Sequence, residues 1–233
     1  MAIALVSGTQ AGGTSGGVTT SSIDTTGATL ITLCVASYGA SAVPTMSDSK
    51  SNTWTQRTTY TPAGDNVRHT IFYCVSPTVG SGHTFTASGS GIYPAIAARA
   101  WSGNATTGTY LTENGQSTSS TQTSYAPGSV TPSSNGALLV AGWALYGGTT
   151  SPSIDNGFTI AGTVNYSSGN CFGLRDAYLI QTSAGAINPT LSWTTAVKVA
   201  SSIAAFKALA SGLLVPRGFD GGFDDKLAGG FAA

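Results

Sequence analysis

The chain has 233 residues, of which 41% are apolar and only 8% are charged, with nine basic side chains against nine acidic ones. This length suits one large all-β domain or two small ones, and the charged share is about a third of the quarter that soluble domains usually carry. So neutral a surface excludes the basic stripe needed for nucleic acid and the polybasic segment drawn to anionic membranes; it suits a protein packed in an assembly or working outside cells.

Residues 1–7 lack a positive n-region and their apolar run is too short for a signal peptide, while no stretch approaches the length of a membrane span. The chain is therefore expected to be made in a cytoplasm and to reach any outside location by another route. Strands are predicted at 3–7, 17–21, 29–37, 53–59, 68–76, 83–87, 95–101, 120–125, 137–146, 159–164, 172–181, 190–193 and 199–207. They are rich in Thr, Val, Ile and aromatics and are separated by Gly, Ser, Asn and Pro. The run 137–146 is continuously apolar, as expected of a strand covered on both faces. The segments 41–51 and 147–156 read as longer loops, and Asn114-Gly115 and Asn156-Gly157 as type I′ hairpin turns. The alanines of 95–101 would also suit a helical turn, but the flanking strands favour β.

Two stretches repeat at a spacing of about 105 residues. Gly27-Ala28-Thr29-Leu30-Ile31-Thr32-Leu33 leads to Ser37-Tyr38-Gly39, and Gly136-Ala137-Leu138-Leu139-Val140-Ala141-Gly142 leads to Leu145-Tyr146-Gly147. Each copy continues through an Asx-rich turn and an aromatic, Trp54 or Phe158, and closes on a small-residue strand ending in Trp101 or Phe206. In this alignment Cys34 matches Trp143, a core position, and all three cysteines read as small buried hydrophobes. The fold class is all-β: a β-sandwich or jelly roll over 1–210, built from related halves at about 15–105 and 120–208. Two side-by-side domains are the alternative. The polar run 115–123 is either the linker between the copies or an edge strand.

Residues 211–233 differ in character and form an extended, Gly/Phe-rich C-terminal arm. Phe219, Phe223, Leu227 and Phe231 are apolar pegs on a segment with no core of its own, which suits docking into a neighbouring subunit. A free terminus is the plainer reading. Leu214-Val215-Pro216-Arg217-Gly218 also matches the recognition stretch of thrombin-cleavable linkers.

Residue types that carry chemistry are scarce. His69 and His83 are the only histidines, and no G-x-S-x-G elbow leads into a helix. Asp48 and Asp155 occupy related turns; as a pair they would suit glycoside hydrolysis, and singly each caps its own loop as an Asx-turn. No metal loop, phosphate loop or cofactor motif is present, so no catalytic residue, metal or cofactor is assigned. A sugar platform is the stronger candidate: Trp54 with Asn52, Gln56 and Arg57 has the composition of a glycan site, as do Tyr38 or Tyr146 near the long loops. Core or rim packing of Trp54 is the competing reading.

The order of motifs resembles phage and phage-like virion proteins with a β-sandwich or jelly-roll body. The residues that carry it are Ser47-Asp48-Ser49-Lys50-Ser51-Asn52-Thr53-Trp54-Thr55, a Gly-Ser-Gly-His-Thr-Phe-Thr stretch over 80–86, Trp101-Ser102-Gly103, and the Gly-Phe-Asp-rich run 218–225. The resemblance covers about residues 15 to 233 and rests on structural turns. It implies a bacteriophage virion component, either a capsid decoration protein or a tail or fibre element. Its partners would be copies of itself and other virion proteins. It supplies no catalytic residues. The expected function is accordingly non-enzymatic and structural, and recognition of host surface glycans is the alternative.

Overall fold

The computed structural model describes residues 2–39 and 43–210, so the arm residues Phe219, Phe223, Leu227 and Phe231 and the stretch 214–218 lie outside the described residues. Among the described residues there are fifteen strands and no helix. The first eight are β1 (Ala4–Gly12), β2 (Gly17–Thr19), β3 (Leu30–Tyr38), β4 (Thr45–Asp48), β5 (Thr55–Gln56), β6 (Val67–Val75), β7 (Phe85–Ser88) and β8 (Ala95–Ser102). They are followed by β9 (Tyr110–Ser117), β10 (Gln122–Tyr125), β11 (Ala137–Tyr146), β12 (Ser153–Ile154), β13 (Thr159–Val164), β14 (Gly173–Gln181) and β15 (Leu191–Phe206).

All strand pairs are antiparallel. The first eight strands make a large sheet in the order β1-β8-β3-β6-β5 and a small one in the order β2-β7-β4. The second large sheet runs β9-β15-β11-β14-β13, while the beginning of β15 also pairs with β10 and β12. The same pairing order therefore occurs twice, with β15 standing for both β7 and β8. Predicted strands 190–193 and 199–207 are one continuous strand, which leaves β10 and β12 and carries on between β11 and β9.

The strands alternate their side chains between faces, and both faces of each large sheet are covered. On β3, Ile31, Leu33 and Val35 meet Phe85 and Ala87 of the small sheet, while Leu30, Cys34 and Ala36 face the second large sheet. On β11, Leu138, Val140 and Ala144 face inward, and Leu139, Ala141, Trp143 and Leu145 pack against Leu191, Trp193 and Phe158. Two covered faces explain why 29–37 and 137–146 read as unbroken apolar runs. The inner core joins Leu30, Ile71 and Trp101 of one sheet to Leu138, Leu174 and Phe206 of the other. The sheets stack with β3 against β11, β1 beside β13 and β6 beside β15. Gln10 of β1 donates to the Thr163 carbonyl at 3.0 Å, and Arg57 pairs with Glu113 of β9 at 2.8 Å.

Several expectations need correction. Cys34 and Trp143 are both buried but on opposite sides, Cys34 between the large sheets and Trp143 beneath the outer layer. Leu30 pairs with Trp101 and Leu138 with Phe206, a register one residue away from the sequence match, and a one-residue slip exchanges faces. Asn114-Gly115 is not a turn but lies inside β9, paired with Ile203 and Ser202. Gly115 is needed there because a Cβ would run into the Tyr60 ring. Asn156-Gly157 does turn as expected, with φ of 55° and 75°. The supposed loops 41–51 and 147–156 contain β4 and β12. Of the polar run 115–123, the part to Ser117 belongs to β9 at the edge of the second large sheet.

Gly142 illustrates how closely the two sheets approach. Any Cβ there would collide with the His69 imidazole and lie against the Cys34 sulfur at 3.0 Å. Gly142→Ala should therefore destabilise the fold by about 1–3 kcal/mol, read as a lower urea midpoint at unchanged slope.

Candidate functional site

Asp48, the last residue of β4, is the hub of the loop that carries Trp54. Its side chain is fully buried. Oδ1 accepts from the Lys50 amide at 2.8 Å and lies 3.0 Å from His83 Nε2; Oδ2 accepts from the Trp54 indole N–H at 2.9 Å and from the Asn52 amide at 3.2 Å. His83 Nδ1 in turn lies 3.0 Å from the Thr25 hydroxyl. The carboxylate thus closes an Asx-turn and ties β4 to the chain before β7. Trp54 is half-buried, edge-on to Phe85 at 6.0 Å. With Gln56, Met46 and Phe72 it lines a cleft of about 270 Å³.

The other two members of the sequence-derived glycan set turn elsewhere. Asn52 spends its amide on the backbone of Thr78, donating at 3.1 Å and accepting at 2.6 Å. Arg57 falls on the opposite face of the strand from Gln56, where it stacks over Tyr110 at 3.9 Å and pairs with Glu113. That carboxylate raises the Arg57 pKa above its ordinary value. The structure therefore brings Trp54 together with Gln56, but not with Arg57. Asp155 receives the Thr190 amide at 2.7 Å and the Asn156 side chain at 3.0 Å. It follows β12 on the outer side of the second large sheet, whereas Asp48 lies outside the first. Both large sheets stand between these carboxylates, so they do not frame a common bond.

Between the large sheets lies a polar cluster that the sequence reading did not assemble. Arg99 of β8 and Asp176 of β14 form an ion pair with side chains only 5% and 3% exposed. One guanidinium nitrogen donates to Asp176 Oδ1 at 2.9 Å and to Gln10 at 3.1 Å. The other terminal nitrogen donates to the carbonyls of Thr9 and Ala98. Arg99 Nε is 2.9 Å from Asp176 Oδ2 but off the line of a hydrogen bond. Burial raises the Asp176 carboxyl, and Arg99 pulls it part of the way back. Gly162 leaves the space for this pair. The signal was available, since Arg99 is the one charge in a strand of small and apolar residues and Asp176 follows Arg175 in another, and buried charges need partners.

Nearby, His69 Nδ1 lies 2.8 Å from the Ser202 hydroxyl, while its Nε2 has no partner among the described residues. Full burial lowers its pKa to about 3, and burial likewise pushes the Cys34 thiol well up. A neutral imidazole beside a serine, sealed between sheets with no acid on its second nitrogen, packs and orients rather than meeting a substrate. All three cysteines are buried and unpaired.

The ends of β3 and β11 meet at one edge of the sandwich and bring five aromatic rings together. Tyr38 stacks on Phe172 at 4.4 Å with only 6° between planes, and Tyr146 stacks on the same ring at 5.3 Å. Tyr38 and Tyr146 are 5.7 Å apart, and Tyr166 stands edge-on to Phe172. Tyr93 completes a cleft of about 210 Å³. No family model, curated protein or solved structure matches this chain.

The depressed pKa of His69 has a signed consequence. The folded state holds it neutral, whereas the unfolded chain takes up a proton below its ordinary value near 6.5. Its contribution to stability is complete above pH 6.5 and is lost as pH falls toward 3, by ~1.4 kcal/mol per unit and on the order of 5 kcal/mol over the window. Asp176, raised by burial, opposes this at the acid end. The urea midpoint of the native chain should fall more steeply between pH 6.5 and 4 than that of His69→Gln.

Proposed function

We propose that this chain is a non-enzymatic structural component of a virion, a capsid decoration or tail or fibre protein, made in the host cytoplasm. The observation that carries this reading is the strand order. We read order 1-8-3-6 facing 2-7-4 as that of a jelly roll, an architecture used by viral capsid domains and by lectins, and we read the second set of strands, with β15 in place of both β7 and β8, as another such unit. We read the body as two such halves stacked through their larger sheets. Support comes also from the use made of its few ionisable groups. Arg99, Asp176, Asp48, His69 and His83 are all engaged inside the body. With nine basic against nine acidic groups, no net charge keeps neighbouring copies apart. The arm at 211–233, with Phe219, Phe223, Leu227 and Phe231, is proposed to reach neighbouring copies or other virion proteins.

Removal of residues 212–233 tests this. The shortened body should keep its thermal midpoint within a few degrees, and in a density gradient of particles from producing cells it should stay at the top while the full chain travels with the particles. Equal incorporation of both forms would defeat the arm's role, and a full chain found only outside particles would defeat the virion reading. A second reading, recognition of surface glycans, is favoured by one observation: the tyrosine cleft at the end of the sandwich, where Tyr146 stays 42% exposed.

A further inference from the structure

In the tyrosine cleft several large aromatic rings converge around Tyr146, the one large aromatic side chain among the described residues that is exposed. The other large apolar side chains that are exposed, Leu5, Val6 and Leu209, are aliphatic and belong to the two ends of the described chain. The cleft has a floor and walls. Phe172 is 8% exposed and lies flat against Tyr38. Tyr38, Tyr93, Tyr146 and Tyr166 stand around it partly exposed, with Gly169 opening one side.

The arrangement follows from the doubled strand order. Tyr38 and Tyr146 both end the central strand of a large sheet, and each precedes a glycine of the same extended positive φ, 149° at Gly39 and 145° at Gly147. The stacking of β3 on β11 brings these two tyrosines together. The surroundings then break the likeness. Phe172 stacks on Tyr146, whereas Tyr38 has Val67 as its strand partner.

Three properties define what fits. Among the described residues the lining carries no charged side chain, which suits a neutral ligand. The rings are amphipathic, with apolar faces and hydroxyl edges, matching a molecule that has C–H groups on one face and hydroxyls around its rim. The volume of about 210 Å³ lies below the range of drug-sized sites and admits a single ring.

We propose that this cleft, rather than the Trp54 loop, binds a neutral pyranose ring, the terminal sugar of a glycan, stacked on Tyr146 and Tyr166 with Phe172 beneath. This rests on the glycan reading above and is independent of the virion reading.

The test uses the full chain and saturation-transfer NMR with calorimetry, titrating the methyl glycosides of glucose, galactose, mannose and N-acetylglucosamine. Tetramethylammonium serves as a control, because an aromatic cage also suits a quaternary cation. At least one glycoside should bind weakly and saturably. Tyr146→Ala should weaken it at least tenfold without moving the thermal midpoint, and Tyr146→Phe should retain most of it. Trp54→Ala should leave it unchanged. Binding that survives Tyr146→Ala but is lost in Trp54→Ala would overturn the site and keep the glycan reading. No saturable glycoside, or saturation by tetramethylammonium alone, would overturn both.

Discussion

The structure depends on mutual cover between two large sheets. Leu30, Ile71 and Trp101 on one side and Leu138, Leu174 and Phe206 on the other have no shield from water except each other. The opposite faces are closed by small sheets, which leaves three apolar layers in a chain of 233 residues. Neither large sheet could stand alone without exposing an entire apolar face, so the two sheets are parts of a single packing problem.

That constraint explains where the polar residues went. A contact this close admits an ion pair only if it is complete, and Arg99 with Asp176 meets the condition through two carboxylate oxygens and three further acceptors. Removing one partner from such a pair costs about 3–5 kcal/mol, because a charge is left without compensation. The glycines at 142 and 162 exist for the same reason. They clear the volume occupied by the His69 ring and by the guanidinium. Among the described residues the histidines and the buried carboxylates Asp48 and Asp176 thus serve cohesion.

Much of the fold was legible, and the illegible parts have physical causes. The strands at 29–37 and 137–146 announce themselves because both faces are apolar or small, and 68–76 and 95–101 because only Arg68, His69 and Arg99 break runs of the same kind. Strands β4 and β12 are four and two residues long and sit among Thr, Ser and Pro, so no periodicity survives in them. Asn114-Gly115 carries turn residues for a reason other than turning, since Gly115 lies under Tyr60 and Asn114 reaches the Ser129 carbonyl at 2.9 Å. The match of Cys34 to Trp143 failed because the glycines before the two strands are one residue out of step with the strands themselves. Of the glycan candidates, composition alone could not say that Arg57 would alternate away from Gln56. Nor could it say that Phe172 and Tyr166, over 120 residues from Tyr38, would complete a cleft with it.

The continuous strand β15 has a mechanical consequence. It passes from the outer sheet into the large one and ends at Phe206, and the chain beyond it is clamped by the Lys207 amide on Thr109 and the Leu209 amide on Gly103. Tension applied at the chain's far end would enter along the axis of a sixteen-residue strand laced to neighbours on both sides. Its ladder bonds lie across that axis and would be sheared together instead of being peeled one by one. A protein tethered through its last residues would therefore yield to a pull only by giving way along the whole strand at once.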